Sequence, residues 1–133
     1  SETEVSLSRK GSFGMLPAEL ATPLVMVLNE LLLNAVEHGF GEGERGSVVI
    51  RAERSRERLD VVVADSGRGL PEGFDSSSGS RLGLQIVRTL VSGELRGTIT
   101  LSRRPGGGTE ARLSFPINRG RRAGSRYVGD VAE

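Results

Sequence analysis

Residues 23–39 read PLVMVLNELLLNAVEHG, and this stretch carries the strongest helical pattern in the 133-residue chain. It is rich in residues that favour helices, and the pattern predicts one over about residues 17–38. Thr22 is a good cap and Pro23 suits a first turn, so a fresh helix can begin there. The helix is expected to end at the glycines that follow it, which are Gly39, Gly41 and Gly43.

One narrow stripe of this helix is polar. At about 100° per residue, Glu30, Asn34 and Glu37 fall within roughly 60° of one another, and most of the remaining circumference is apolar. A carboxylate and an amide one turn apart can supply oxygens to Mg²⁺ and its waters, or hold a water for proton transfer. Taken alone, the stripe favours a plainer interpretation, a thin solvent-facing edge. His38, near the stripe, is the only histidine and by itself is typical of a helix-end cap.

Further elements are predicted on both sides of this helix. They are a strand at 5–9, a hairpin of strands at 47–53 and 59–64, a Gly- and Ser-rich loop at 65–80, a helix at 82–92, and a final hairpin of strands at 97–102 and 109–116. This order predicts an α+β fold, a two-layer sandwich with helices on one face of a mostly antiparallel mixed sheet.

Composition and length limit the class of protein. A chain of 133 residues suits one domain, expected over 1–118, with a flexible basic tail over 119–133. The chain has no Cys, which excludes disulfides and thiolate chemistry and suits a reducing cytoplasm. Lys and Arg total 18 against 17 Asp and Glu, so nothing points to nucleic acid or an anionic membrane as partner. The apolar runs are too short to predict a membrane span.

The third predicted strand ends in a glycine-spaced loop, VVVADSGRGLP over residues 61–71. Asp65 closes the strand, and its carboxylate only accepts hydrogen bonds, as the exocyclic amine of adenine requires. Gly67 and Gly69 let the backbone approach a flat ligand. The oxygens are too few for a calcium loop, and the spacing fits neither a dinucleotide fingerprint nor a P-loop. A tight strand-to-loop turn is the alternative interpretation.

The second helix opens with Leu82-Gly83-Leu84. A helix N-terminus offers free N–H groups and a positive dipole to a phosphate, and Arg81 and Arg68 can add charge. Ordinary helix initiation explains the same residues in isolation.

Taken together and in order, these segments resemble the ATPase family shared by histidine kinases, DNA gyrase, Hsp90 and MutL. Residues 29–39 resemble its N box, 65–69 its G1 box, 82–87 its G2 box, and 106–110, leading to Phe115-Pro116, the closing segment of kinase members. The resemblance covers about residues 5–116 and implies the two-layer Bergerat fold. Arg81 stands where the G2 box usually has its first Gly.

The resemblance also implies roles for individual residues. Asn34 would bind Mg²⁺, with Glu30 as a second metal residue that polarises or positions the attacking group. Asp65 would read the adenine amine, and Thr109 would lie near the adenine. The residues implied to bind ATP and Mg²⁺ are Asn34, Glu37, His38, Asp65, Gly67, Gly69, Leu70, Arg81, Leu82, Gly83, Leu84 and Thr109.

The resemblance is closer to one branch, the soluble sensor kinases of actinobacterial type with a short lid, grouped with the HWE and HisKA_2 kinases. It implies the cytoplasmic catalytic domain of a sensor histidine kinase, which passes the ATP γ-phosphate to a histidine on an upstream dimerisation hairpin. A cognate response regulator is the implied further partner, with no contact to nucleic acid or membrane. His38 belongs to the N box and is not the phosphoacceptor.

Two alternatives remain open from the sequence. One is a stand-alone serine kinase of the anti-sigma-factor type, which uses the same fold without a helical hairpin. The other is a non-catalytic module that binds nucleotide only to change shape or to dock a partner.

Overall fold

The computed structural model describes residues 4–39, 45–67, 82–117 and 127–129. Within these ranges the elements follow one another as β1 (Glu4–Lys10), β2 (Met15–Pro17), α1 (Ala18–Gly39), β3 (Arg45–Arg54), β4 (Arg58–Asp65), α2 (Leu82–Thr89), a π-helical segment (Leu90–Leu95), β5 (Thr98–Arg103), β6 (Thr109–Pro116) and β7 (Tyr127–Gly129).

The main sheet has five strands in the order β1-β3-β4-β6-β5. β1 pairs with β3 in parallel, and the other three pairings are antiparallel. Parallel neighbours need a long crossover, and the chain from β1 to β3 makes it through α1. The predicted mixed and mostly antiparallel sheet is confirmed.

Both helices lie on one face of this sheet, where the core forms. Strand residues alternate between the two faces, so Val61 and Val63 are buried while Asp60 is exposed. The most deeply buried side chains include Phe115, Leu59, Leu95, Leu20 and Val27. The opposite face of the sheet carries charged side chains, among them Arg51, Glu53 and Arg112. The two-layer α+β sandwich is therefore confirmed.

The helix predicted over about 17–38 is confirmed as α1, Ala18–Gly39, but the fresh start suggested at Thr22-Pro23 does not occur. It begins at Ala18 and runs through Pro23, so no fresh helix starts there. A proline inside a helix removes one backbone hydrogen bond. Leu20 and Leu24, which are buried on either side of Pro23, offset this loss by packing in the core. By length and composition alone, Ala18–Glu37 would also suit a membrane span, but its inward side contributes to this core.

The second predicted helix has two parts. α2 ends at Thr89, and the six residues Leu90–Leu95 continue it as a π-helical segment that includes Gly93. Arg96 then takes a left-handed conformation with φ of 57°, and its N–H donates to the Val91 carbonyl. Gly93 was expected to stop the helix, but the chain turns three residues later, where Val91 and Leu95 are buried.

A second, two-stranded sheet pairs β2 with β7, and neither strand was predicted. Arg54 supports β2, because its Nη1 donates to the carbonyl oxygens of Phe13 at 2.7 Å and of Met15 at 2.6 Å. The expectation of a flexible tail over 119–133 is thus corrected for Tyr127–Gly129. The remainder of that tail lies outside the described residues.

Candidate functional site

The first cluster of site residues forms where α1 meets the start of α2. Gly83, the second residue of α2, lies against Glu30 and Asn34 of α1. A Cβ placed on Gly83 would be 2.5 Å from Glu30 Oε1 and 3.8 Å from Asn34 Nδ2. Glu30 and Asn34 share one side of the helix because they are four residues apart. The contact brings together the predicted polar stripe and the predicted phosphate-binding helix start, which are about fifty residues apart in the chain.

The Asn34 amide is half-buried, and its Nδ2 atom is fully buried without a hydrogen-bond partner in the part of the chain that the structure describes. Buried polar atoms are normally paired, so Nδ2 is placed to take a partner that the described residues do not supply. A half-turn of the amide plane would present Oδ1 at the same point, which is an oxygen ligand for a cation. The alternative of a solvated helix edge therefore does not apply to Asn34.

The second cluster forms at the end of β4 around Asp65. Asp65 is 7% exposed and is the one buried charged residue among those described. The N–H of Gly67 donates to Asp65 Oδ1 at 2.8 Å, and the N–H of Thr109 donates to the same oxygen at 3.3 Å. Within the described ranges Oδ2 takes no hydrogen bond. A buried carboxylate whose second oxygen has no partner among the described residues is suited to accept a hydrogen bond from a ligand.

The turn between β5 and β6 closes over the end of β4. Gly108, with φ of +101°, lies so near the Asp65 carbonyl that a Cβ there would collide with its oxygen. The conformation and the contact both require glycine. Arg104 Nη1 donates to the Asp65 carbonyl oxygen at 2.7 Å. Arg104 was not among the predicted site residues, because nothing in the sequence pairs it with a residue 39 positions away.

The structure brings together six of the predicted site residues, in two clusters. Glu30, Asn34 and Gly83 make up the first cluster, and Asp65 with the backbone of Gly67 and Thr109 makes up the second.

The other predicted residues contribute less to this geometry. Glu37 is exposed on α1, and Leu84 is buried at the start of α2. The backbones of His38 and Leu82 lie in α1 and α2. Gly69, Leu70 and Arg81 lie outside the described residues, as does most of the segment that joins the two clusters.

The chemistry of the two clusters is complementary. The first offers a carboxylate and an amide beside the start of α2, where an α-helix leaves N–H groups without intrahelical partners. Such a place suits an anion together with a cation. The second offers a buried acceptor for an N–H donor. Among the described residues, no group of three or more His, Cys, Asp or Glu side chains is placed to hold a metal ion by itself.

Several known proteins with similar sequences are sensor histidine kinases. The family model of histidine kinase-, DNA gyrase B-, and HSP90-like ATPases matches residues 19–119. Sensor histidine kinase PdtaS of Mycolicibacterium smegmatis is 51% identical over 119 residues, which cover 89% of this chain and 24% of that protein. Blue-light-activated histidine kinase 2 of Erythrobacter litoralis is 37% identical, over 77% of this chain and 29% of its own length. The chain spans about a quarter of the length of these relatives.

A solved structure has the same fold. The histidine kinase domain of the Erythrobacter litoralis EL346 blue-light-activated histidine kinase superposes with a TM-score of 0.75 and 33% identity. The match covers 85% of this chain and 55% of that one. Because the family model matches residues 19–119 and the fold is shared with this solved structure, the chain belongs to the family of histidine kinase-, DNA gyrase B- and HSP90-like ATPases.

Proposed function

We propose that this chain is the ATP-binding catalytic domain of a cytoplasmic sensor histidine kinase. It would bind Mg²⁺-ATP and present the γ-phosphate to a histidine on a helical dimerisation domain that precedes it in the parent protein. The phosphoryl group would then pass to a response regulator. The names of the similar proteins support this activity over a serine kinase or a docking module, because PdtaS and the blue-light-activated relative are both histidine kinases.

The observation that carries the proposal is the meeting of Gly83 with Glu30 and Asn34. At the N-terminal end of α2 lie a carboxylate and the Asn34 amide, whose Nδ2 has no partner among the described residues. The helix end would hold phosphate oxygens through backbone N–H groups and the dipole. Glycine at position 83 lets α1 approach without a side chain between them.

The residues of the first cluster fit Mg²⁺. This ion is held by few protein oxygens and completes its coordination with water and phosphate, so Asn34 Oδ1 with Glu30 nearby is a sufficient protein contribution. When bound, Mg²⁺ would neutralise charge on the phosphates during transfer. Glu30 would orient the attacking imidazole and accept its proton, since a carboxylate within hydrogen-bond reach is a suitable base.

The second cluster fits adenine. Asp65 Oδ1 is held by the N–H groups of Gly67 and Thr109, which leaves Oδ2 to accept a hydrogen bond from the 6-amino group of adenine. Guanine carries a carbonyl at that position, which would face the carboxylate without a proton between them. A site that hydrogen-bonds one group strongly rejects an analogue that lacks it, so ATP should bind much better than GTP.

Isothermal titration of this chain with ATP and GTP, with and without Mg²⁺, tests the site. We expect saturable, Mg²⁺-enhanced binding of ATP and much weaker binding of GTP. Asn34→Ala should remove the enhancement by Mg²⁺. The matched control is Asn29→Ala, because Asn29 is exposed on the same helix and has no assigned role. A folded wild-type chain that binds neither nucleotide would refute the proposal, and an Asn34→Ala chain with unchanged Mg²⁺ dependence would refute the role of Asn34.

The phosphoacceptor is tested with the parent protein, which carries the upstream helices. Incubation with γ-labelled ATP should give an acid-labile, alkali-stable phosphoprotein, as phosphohistidine does and phosphoserine does not. An acid-stable product would favour the serine kinase alternative. ATP binding without any transfer would favour the docking module.

A further inference from the structure

The peptide plane that joins Asp65 to Ser66 is held at both ends by parts of the protein distant in sequence. On one side, the Ser66 N–H donates to the Ser47 carbonyl of β3 at 3.0 Å, and the Ser47 N–H donates to Ser66 Oγ at 2.9 Å. On the other side, the Asp65 carbonyl accepts the bond from Arg104 Nη1 at 2.7 Å. The plane cannot rotate without breaking one of these bonds.

The Arg104 side chain does here what a backbone N–H does elsewhere in the sheet. The ladder between β4 and β6 ends at the pair Ala64 and Glu110. Beyond it, the Thr109 N–H bonds the Asp65 side chain and not the Asp65 carbonyl. The guanidinium of Arg104 donates to the Asp65 carbonyl instead. The Thr109 N–H is therefore left to donate to the Asp65 carboxylate.

Arg104 is itself held by the turn that carries it. Its N–H donates to the Gly108 carbonyl at 2.9 Å, and its carbonyl accepts from the Gly107 N–H at 3.0 Å. A residue fixed in a closed turn loses little freedom when its side chain makes one more bond, and the guanidinium donates along a fixed direction. The bond from Arg104 therefore holds the Asp65 carbonyl in one position.

We propose that Arg104 is a positioning residue for adenine recognition, acting through Asp65. It fixes the peptide plane after Asp65, and that plane sets where the Gly67 N–H meets Oδ1 and where the open Oδ2 points. The inference rests on the proposed function and deepens it, because it explains how the adenine-reading carboxylate keeps its orientation. Arg104 does not touch the nucleotide in this account.

The test compares two nucleotides that differ only in the group Asp65 reads. ATP carries the 6-amino group, and purine riboside triphosphate lacks it. Titration of the chain with each gives a selectivity ratio. In Arg104→Met, we expect roughly tenfold weaker binding of ATP, equivalent to about 1.4 kcal/mol, with binding of purine riboside triphosphate unchanged. The ratio should therefore fall by the same factor.

The matched control is Arg56→Met, which removes the same charge at an exposed turn between β3 and β4. That turn lies at the opposite end of β4 from Asp65, and Arg56 makes no bond within the described part of the chain. Its selectivity ratio should equal that of the wild type. Equal losses for both nucleotides in Arg104→Met would leave the ratio unchanged, show a merely structural role and overturn the inference. So would unchanged binding of both nucleotides.

A double-mutant cycle with Asp65→Asn separates action through Asp65 from independent action. If Arg104 works through the carboxylate, Arg104→Met should weaken ATP binding by less than about twofold in the Asp65→Asn background. If Arg104→Met weakened ATP binding by the same factor with and without Asp65→Asn, the two residues would act independently and the inference would be overturned. Should Arg104→Met fail to fold, Arg104→Lys carries the same two tests, with a smaller selective loss expected because one charged donor remains.

A wild-type chain that binds neither nucleotide would refute the proposed function itself. A selective wild type with an equally selective Arg104→Met would refute only the role of Arg104.

Discussion

A single methyl group added at position 83 should weaken Mg²⁺-ATP binding while leaving the stability of this protein nearly unchanged. In Gly83→Ala the new Cβ would be 2.5 Å from Glu30 Oε1, whereas ordinary van der Waals contact begins at 3.4 Å. The Glu30 carboxylate must therefore move by about 0.9 Å. The contact is with the end of a flexible side chain and not with backbone, so the helices themselves need not separate.

The expected change in stability is small. Alanine is favoured over glycine inside a helix by up to about 1 kcal/mol. Forcing one side chain away from its preferred rotamer costs of order 0.5–1.5 kcal/mol. The two effects oppose each other, and the free energy of unfolding should stay within about 1 kcal/mol of the wild type.

The expected change in function is much larger. Groups that position a reacting phosphate tolerate little displacement, and a misplacement of about 1 Å can cost on the order of a hundredfold in rate. We expect Mg²⁺-ATP affinity of the chain to fall by about tenfold or more, and phosphorylation by the parent kinase to fall by about a hundredfold. Titration calorimetry gives the first quantity and γ-labelled ATP the second, while thermal unfolding shows that the variant is folded.

Gly93→Ala is the matched control, because Gly93 lies in the π-helical segment and a Cβ there meets nothing within 4 Å. It should bind Mg²⁺-ATP as the wild type does, with equal or slightly higher stability. A Gly83→Ala chain that binds Mg²⁺-ATP as tightly as Gly93→Ala would refute the reasoning. So would a loss of stability well above 1 kcal/mol, since the backbone would then be displaced as well.

Three further changes follow from the same structure. Gly108→Ala should lower the free energy of unfolding, measured by urea unfolding, by at least about 2 kcal/mol, because φ is positive and the Cβ collides with the Asp65 carbonyl. Gly106→Ala also has a positive φ but no collision, so its loss of stability should be smaller. Phe115→Ala should cost about 3–5 kcal/mol by the same assay, because its side chain is fully buried, and a loss below 1 kcal/mol would contradict the assigned core. Arg54→Ala removes two bonds to the carbonyls of residues 13 and 15 and should cost about 1 kcal/mol, with faster amide exchange confined to β2 and its partner strand.

Much of the fold was predictable because its elements are encoded locally. The β-branched runs at 47–53 and 59–64 favour strands, and the apolar segment before them has the composition and length of a helix. Their predicted order was enough for the two-layer α+β sandwich. The bounds of α1 agree with the predicted 17–38 to within a residue, although no fresh helix starts at Pro23. The second helix was less well predicted, because it changes to a π-helical segment after Thr89.

The site was predictable in its residue types and less so in its geometry. Asp65 and Asn34 stand out in sequence because a charged or amide group follows an apolar pattern at each position. Neither pattern shows that Asn34 Nδ2 is buried without a partner among the described residues, or that two backbone N–H groups hold Asp65 Oδ1. Those facts depend on which atoms of other elements come within hydrogen-bond distance.

The amino-acid sequence by itself determined the helices, most of the strands, and the three segments that bear the chemistry, since each depends on residues within a few positions of one another. Only the tertiary structure decided the strand order, the pairing of β2 with β7, the contact of Gly83 with Glu30, and the bond from Arg104 to Asp65. Each of these joins residues tens of positions apart. Such pairs leave no period in the sequence, because packing in three dimensions and not local conformation brings them together.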